Sequence, residues 1–289
     1  MKRKIMFFLA SLLLLGGCFN INEKTEQEKA QEGITPVQDY VGQGFSFVDG
    51  EKSAERVEKH EEEIKQVAID YMKTKYKTNV KVNNVVPARN AAVVMIESEE
   101  SIQFHASVIV GLNLNKDEVG NARSEEGEVE KAIVGGLYAK AYQTEFEHLD
   151  IFAERIAKKY NLLGRRNEAI NKTASVGYEK EYYFIATAAL YFPSVYSAYL
   201  ENQEISVDDL KVLFLKDDPQ NKKMAIAMNF FSKKDSLPKE EVANNLATEI
   251  QNESGIPKGN YETTVYKNLI VNRAGLPDGE SIDAKDIIK

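Results

Sequence analysis

One cysteine serves all 289 residues, and it stands at position 18, directly behind an uncharged apolar run. A chain with a single thiol forms no internal disulfide, so whatever folds beyond Cys18 is held by its core alone. About 250 residues lie beyond position 38, enough to bury one large core or two small ones. The composition is 43% hydrophobic and 28% charged, ordinary for a globular protein. With no Trp, 14 Tyr and 13 Phe, the aromatic share of that core falls to phenol and phenyl rings. The same absence argues against a carbohydrate cleft floored by indole platforms.

The first residues divide into three parts. Lys2, Arg3 and Lys4 are a basic patch of the kind retained on the cytoplasmic side. The run 5–15 is apolar but too short to span a hydrocarbon core, which needs about 20 residues. Leu15-Gly16-Gly17-Cys18 then places small residues ahead of a thiol. This arrangement resembles the lipobox of bacterial lipoproteins. The resemblance implies a signal peptide over 1–17, cleavage between Gly17 and Cys18, and diacylglyceryl and palmitate-type chains on Cys18. Two acyl chains anchor stably where one does not. The expected location is the extracytoplasmic face of the cell membrane.

Residues 18–38 are rich in Glu, Lys, Gln and Asn, too polar to bury a core, and read as a disordered, lipid-anchored tether. Removing 1–17 deletes three basic residues, leaving 34 basic against 45 acidic and a formal charge of −11 instead of −8. That excess disfavours nucleic acid as a partner. It leaves the membrane, through Cys18, and an envelope protein as the partners expected.

Beyond the tether, 39–289 reads as an α+β body, with 115–125 the place where a sub-boundary would fall. The segment 37–48 is aromatic, β-branched and punctuated by Gly42 and Gly44, as an extended lead-in or edge strand would be. Val57, Ile64, Val67, Ala68 and Tyr71 recur at helical spacing behind Ser53, predicting one helix over 53–77. Strands are expected at 79–86, 91–98 and 103–114, the first two joined by a turn at 87–90. Amphipathic helices follow at 125–142 and 144–160, and Arg165-Arg166 opens a polar connection. The apolar stretch 181–201 fits either a buried helix kinked at Pro193 or a strand followed by a turn. Strands at 211–216 and 224–232 would make a hairpin around a polar tip holding Asp217 and Asp218, and Pro238 would open a helix to about 252. Residues 255–289 read as mostly irregular, with a short strand within 263–271. The hairpins at 79–98 and 209–232 could echo a duplicated α/β unit, but two hairpins are common in an α+β protein and no residue-by-residue match supports duplication.

Candidate chemistry is sparse. His60-Glu61 begins a zinc-peptidase helix motif, but position 64 is Ile where the second imidazole belongs, so His60 reads as a solvated helix residue. The stretch 115–126 has oxygen donors and Gly120 in a calcium-loop pattern, yet Val119 and Arg123 occupy ligand positions, leaving an acidic surface turn. Glu145, His148 and Asp150 lie close in sequence without further ligands identified. His105 reads as half-buried in a strand, and Gly135-Gly136 as a close-packing point within a helix. Nucleophile elbows, phosphate loops and dinucleotide fingerprints are missing. No catalytic, metal or cofactor residues are therefore assigned, and no enzymatic activity is expected.

The run Asp39-Tyr40-Val41-Gly42-Gln43-Gly44-Phe45, the acidic-basic helix after it and the VKVNNVV strand resemble an uncharacterised lipoprotein family of Gram-positive bacteria. The resemblance extends over most of the chain beyond Cys18. It implies the localisation and a single module, and it transfers no site residues. The functional expectation is a cell-surface lipoprotein acting as a binding or interaction module. The alternatives are a solute-binding lipoprotein of a transporter and an envelope hydrolase with an unrecognised site.

Overall fold

Residues 33–38, read from the sequence as the end of the tether, are part of the folded body. The structure, a computed structural model, describes residues 33–99, 101–113 and 115–289, so Cys18 and the segments around it lie outside the described residues. Strand β1 (Ile34–Thr35) pairs antiparallel with β11 (Ile270–Val271). Val37 is buried, and its N–H donates to Asn268 Oδ1 at 2.9 Å. The 37–48 segment is not an edge strand. It runs as turns and bends, with Gly42 and Gly44 at φ 91° and 75°, where a Cβ is strained. Phe45 and Phe47, in edge contact at 5.4 Å, pack against Val86, Val93 and Met95. A loop with two aromatic rings thereby covers one face of the sheet that carries these residues.

The 53–77 periodicity does give helix, but in two pieces, α1 (Ala54–Lys59) and α2 (Glu61–Tyr76), broken where His60 leaves helical geometry at φ −110° and ψ 18°. Four antiparallel strands follow in order: β2 (Val80–Ala88), β3 (Ala91–Ser98), β4 (His105–Asn113) and β5 (Glu118–Arg123). The β2–β3 turn is two residues, with Asn90 at φ 55°, and Pro87 sits within β2, which is an edge strand and so tolerates a missing N–H. β3 is buried on both faces: Ala92, Val94 and Ile96 join the main core, while Val93 and Met95 face the Phe45–Phe47 loop. The acidic surface turn expected at 115–126 is instead the β4–β5 turn and strand β5.

Helices α3 (Glu128–Ala141) and α4 (Gln143–Tyr160) lie where the periodicity puts them. Short β6 (Leu162–Leu163) and α5 (Asn167–Thr173) lead to β7 (Glu179–Lys180) and β8 (Tyr183–Ala186). Of the two readings for 181–201, a strand and then a turn holds at the start. The remainder is α6 (Pro193–Glu201), with Pro193 at its first position.

The hairpin expected at 209–232 does not exist. Residues 211–216 belong to α7 (Val207–Asp217), capped by Ser206, whose Oγ accepts the Asp209 N–H at 3.1 Å, with Leu210 and Phe214 buried one turn apart. The duplicated-unit reading fails with it. Strand β9 (Ala225–Ser232) is buried along nearly its whole length, as a strand covered on both faces must be. Helix α8 (Glu240–Asn252) supplies the crossover that lets β10 (Asn260–Tyr266) pair parallel to β9. The end of the chain is less irregular than expected: β12 (Leu276–Pro277) joins β11, and β13 (Ser281–Asp283) and β14 (Ile287–Ile288) both pair with β10.

The second sheet therefore runs β13-β10-β9-β8-β7, with β14 on β10 and β6 on β9. A two-bond bridge between His105 and Gly177 (2.8 and 3.0 Å) links it to the four-stranded meander. Gly177, at φ 103°, lies so close that an added Cβ would stand 3.1 Å from the Ala132 Cα. One hydrophobic cluster runs through both sheets and the α2, α3, α4, α6, α7 and α8 helices, making the architecture α+β. Among the described residues, no helix is long and apolar enough to cross a membrane.

Candidate functional site

Where the β3–β4 connection passes the α3–α4 joint, the surface opens into a cleft of about 260 Å³. Helix α3 contributes Gly136, Ala139 and Lys140, at the i, i+3, i+4 spacing of one helical face. Helix α4 contributes Gln143, Phe146, Glu147 and Asp150, again one stripe. Ser101 and Gln103 come from the connection, and Tyr178 and Lys180 from the start of the β7–β8 hairpin. Between those last two, Glu179 points elsewhere, as alternation along a strand requires. Its carboxylate meets Arg165 at 2.5 Å, with both side chains mostly buried. Arg165 also donates to Thr173 Oγ1 (3.0 Å) and the Gly275 carbonyl (3.2 Å). A residue read as part of a polar connection is therefore an internal clamp behind the cleft.

The cleft carries two cations and two anions, each held by a neutral group. Lys140 Nζ donates to Ser101 Oγ at 2.9 Å. Lys180 Nζ donates to Gln103 Oε1 at 3.2 Å and lies 5.3 Å from the Tyr178 ring centroid. Glu147 accepts from Gln143 Nε2 at 2.8 Å, and Asp150 from the Tyr183 hydroxyl at 2.6 Å. Burial, with the Asp150 charge beside it, pushes the Tyr178 phenol up to about 12, and the Tyr183 phenol rises for the same reasons, burial first. Both stay neutral, and Tyr183 donates to Asp150. Among the described residues, none of these four charges enters a salt bridge.

The residues singled out in sequence scatter. Glu145, His148 and Asp150 do not converge: His148 Nε2 meets Glu253 at 2.8 Å, while Asp150 turns to Tyr183. His60 is not a freely solvated helix residue. It sits at the α1–α2 break with its ring 3.4 Å from both Glu63 and Asp117, its side chain only 18% exposed. Asp117, which the calcium pattern would need as a ligand, is engaged by Lys59 and His60, and the Lys59 hydrogen bond, first among the causes, lowers its carboxyl. Gly120 lies in the ladder against the Gly111 carbonyl. His105 is half-buried as expected, with Nε2 at 3.1 Å from Asn171 Oδ1. Gly136 is the close-packing point of its pair: an added Cβ would fall 2.8 Å from the Gln103 carbonyl, whereas at Gly135 the nearest atom is 3.6 Å away. Asp217 and Asp218 form no hairpin tip; Asp217 accepts the Ser194 N–H at 2.8 Å and Asp218 the Lys223 N–H at 2.7 Å. Among the described residues, no group of three His, Cys, Asp or Glu gathers as a metal would need.

A second polar cluster has no signal in the sequence beyond the i, i+4 pair Tyr71 and Lys75. Lys75 Nζ donates to the Tyr71 hydroxyl at 3.1 Å and lies 4.8 Å from the Tyr76 ring centroid, and both phenols reach Ser124 Oγ at 2.9 Å. Burial pushes the Tyr71 phenol up, but the bonds to Ser124 and Lys75 more than offset it, and its pKa is lowered. This cluster fastens α2 to the residues between β5 and α3.

Residues 27–288 match the family described as "Protein of unknown function (DUF1672)". The fold is similar to the crystal structure of a DUF1672 family protein from Staphylococcus aureus, with a TM-score of 0.75 and 20% identity, covering 89% of this chain and 98% of that one. A DUF5037 family protein from Ruminococcus gnavus aligns over 71% and 74% of the two chains at 15% identity, with a TM-score of 0.26. No curated protein matches the sequence.

Proposed function

The chain belongs to the DUF1672 family, and we propose that it is a lipoprotein anchored through Cys18 on the outer face of the cytoplasmic membrane, where its body serves as a binding module. The observation that carries this reading is the single cysteine, placed directly behind a short apolar run and two glycines. An acidic body suits a site beside anionic head groups, since repulsion keeps it off the lipid surface. The mixed-charge cleft between α3, α4 and the β7–β8 hairpin is the surface offered for binding.

The test is replacement of Cys18 with serine in a bacterium that expresses the full chain. The unsubstituted protein is expected in the membrane fraction, beginning at a diacylated Cys18 by mass spectrometry, and the variant is expected to lose both processing and retention. An unmodified cysteine, or unchanged retention in the variant, overturns the anchor. The cleft also favours a second reading, a solute-binding lipoprotein. Crosslinking of the body to a transporter permease in intact cells would move the assignment there.

A further inference from the structure

The charges of the cleft are sorted by wall. Lys140 and Lys180 are both drawn to the β3–β4 connection, one by Ser101 and the other by Gln103. Those residues are two apart, a span of at most ~7 Å of chain. The two ammonium groups therefore both lie against that connection. Glu147 and Asp150 stand on α4 three residues apart, hence on one helical face. Each charge leans on a neutral group, and among the described residues no salt bridge crosses the cleft, although both signs line one cavity. Phe146 and Tyr178, their ring centroids 5.4 Å apart, also line the cleft. A cavity of about 260 Å³ lies below the ~300–1,000 Å³ of drug-sized sites, so its occupant is small.

We propose that the cleft binds a small zwitterion of the amino acid or short-peptide class, its carboxylate on Lys140 and Lys180 and its ammonium on Glu147 and Asp150. A ligand with both charges meets both walls at once, whereas a simple anion or cation leaves one wall unanswered. The inference rests on the binding-module reading and names its ligand class.

The experiment titrates the full chain, held in mild detergent, with L-alanine, L-alanyl-L-alanine, the N-acetylated dipeptide and the dipeptide amide, read by calorimetry. The free dipeptide or alanine is expected to bind. Blocking either end is expected to weaken binding about tenfold or more, the loss of one charge-assisted contact. The paired variant Lys140→Gln with Lys180→Gln should abolish the penalty for the amide while keeping the penalty for acetylation, and Glu147→Gln with Asp150→Asn should do the reverse. Equal binding of free and capped dipeptides overturns the proposal, as does failure of both zwitterions to bind. Because capped and free probes are compared on the unsubstituted protein, the result does not depend on any variant folding. If neither zwitterion binds while Cys18→Ser still loses membrane retention, the ligand class is wrong and the anchored module stands. If L-alanyl-L-alanine binds while retention is unchanged, the ligand class stands and the anchor falls.

Discussion

Arg165 and Glu179 form an ion pair whose side chains are only 12% and 4% exposed, and the same glutamate separates Tyr178 from Lys180 at the cleft. Because Arg165 also binds Thr173 and the Gly275 carbonyl, this contact joins α5, β7 and the turn before β12. Breaking a buried pair by removing one partner leaves the other charge unanswered. Glu179→Gln or Arg165→Met is therefore expected to cost about 3–5 kcal/mol in urea unfolding. The double variant Arg165→Met with Glu179→Leu should recover much of that loss, since it leaves no orphan charge. A double variant as unstable as the singles would show that the pair matters by shape and not by charge.

The two adjacent glycines of α3 should respond in opposite directions. Gly136 approaches the Gln103 carbonyl so closely that a methyl would stand at 2.8 Å, and backbone must move to admit it. Gly136→Ala is expected to destabilise by about 1–3 kcal/mol. It should also weaken any ligand of the cleft, since Gln103 positions Lys180. At Gly135 the nearest atom to an added Cβ is Ile185 Cγ2 at 3.6 Å, an ordinary contact. There helix propensity decides, and Gly135→Ala should stabilise by about 0.5–1 kcal/mol. Thermal unfolding of the two variants side by side tests the assignment; equal effects would refute it.

What the sequence made legible is what local periodicity encodes. Val129, Ile133 and Leu137, then Phe146, Leu149, Phe152 and Ile156, trace one buried stripe on each of two long helices, and both helices were readable at once. Helix α7 was misread as a strand because Val212 and Leu215 are apolar yet 66% and 50% exposed, which blurs the spacing of Leu210 and Phe214. Strand β5 hid behind a polar, calcium-like pattern because it packs few large side chains. The cleft was illegible for a different reason. Ser101, Lys140, Glu147 and Lys180 belong to four separate segments, which tertiary contacts such as the His105–Gly177 bridge, the α3–α4 joint and the approach of Gly136 to Gln103 bring together. Similarly, nothing in Arg165-Arg166 distinguishes the buried arginine from its exposed neighbour.

Two glutamates should give opposite responses to pH. Burial pushes the Glu97 carboxyl up, but Lys81 at 2.6 Å and Asn83 at 2.7 Å more than offset it, so its pKa lies below the ordinary value. Its contribution is present above the unfolded pKa and is lost as pH falls through the folded one. Glu262 is the reverse: burial, then the Asp286 charge, raise its carboxyl. Its contribution is therefore fully present below the unfolded pKa and lost as pH rises through the folded one. Glu97→Gln should lower stability at neutral pH and change little in acid, while Glu262→Gln should raise stability at neutral pH. Denaturation midpoints measured between pH 3 and 7 check both signs (~4.3 is the reference carboxyl value).

Asp217 ends one helix and starts another. It is the last residue of α7, and its Oδ2 accepts the backbone N–H groups of Ser194 at 2.8 Å and Val195 at 3.4 Å in the first turn of α6. The residue that occupies the capping position, Phe192, has no side chain able to accept them, so a carboxylate from a neighbouring helix takes that part. The charge is also favourable at the positive end of α6. Asp217→Ala is expected to lose about 1 kcal/mol, with the midpoint lowered and the slope of urea unfolding unchanged. Asp217→Asn keeps an acceptor and should lose about half of that or less, the remainder reflecting charge. The equivalent change next door, Asp218→Ala, leaves the cap of α6 intact and frees only the Lys223 N–H. If hydrogen exchange at Ser194 and Val195 accelerated in Asp218→Ala but not in Asp217→Ala, this account of how α6 begins would be wrong.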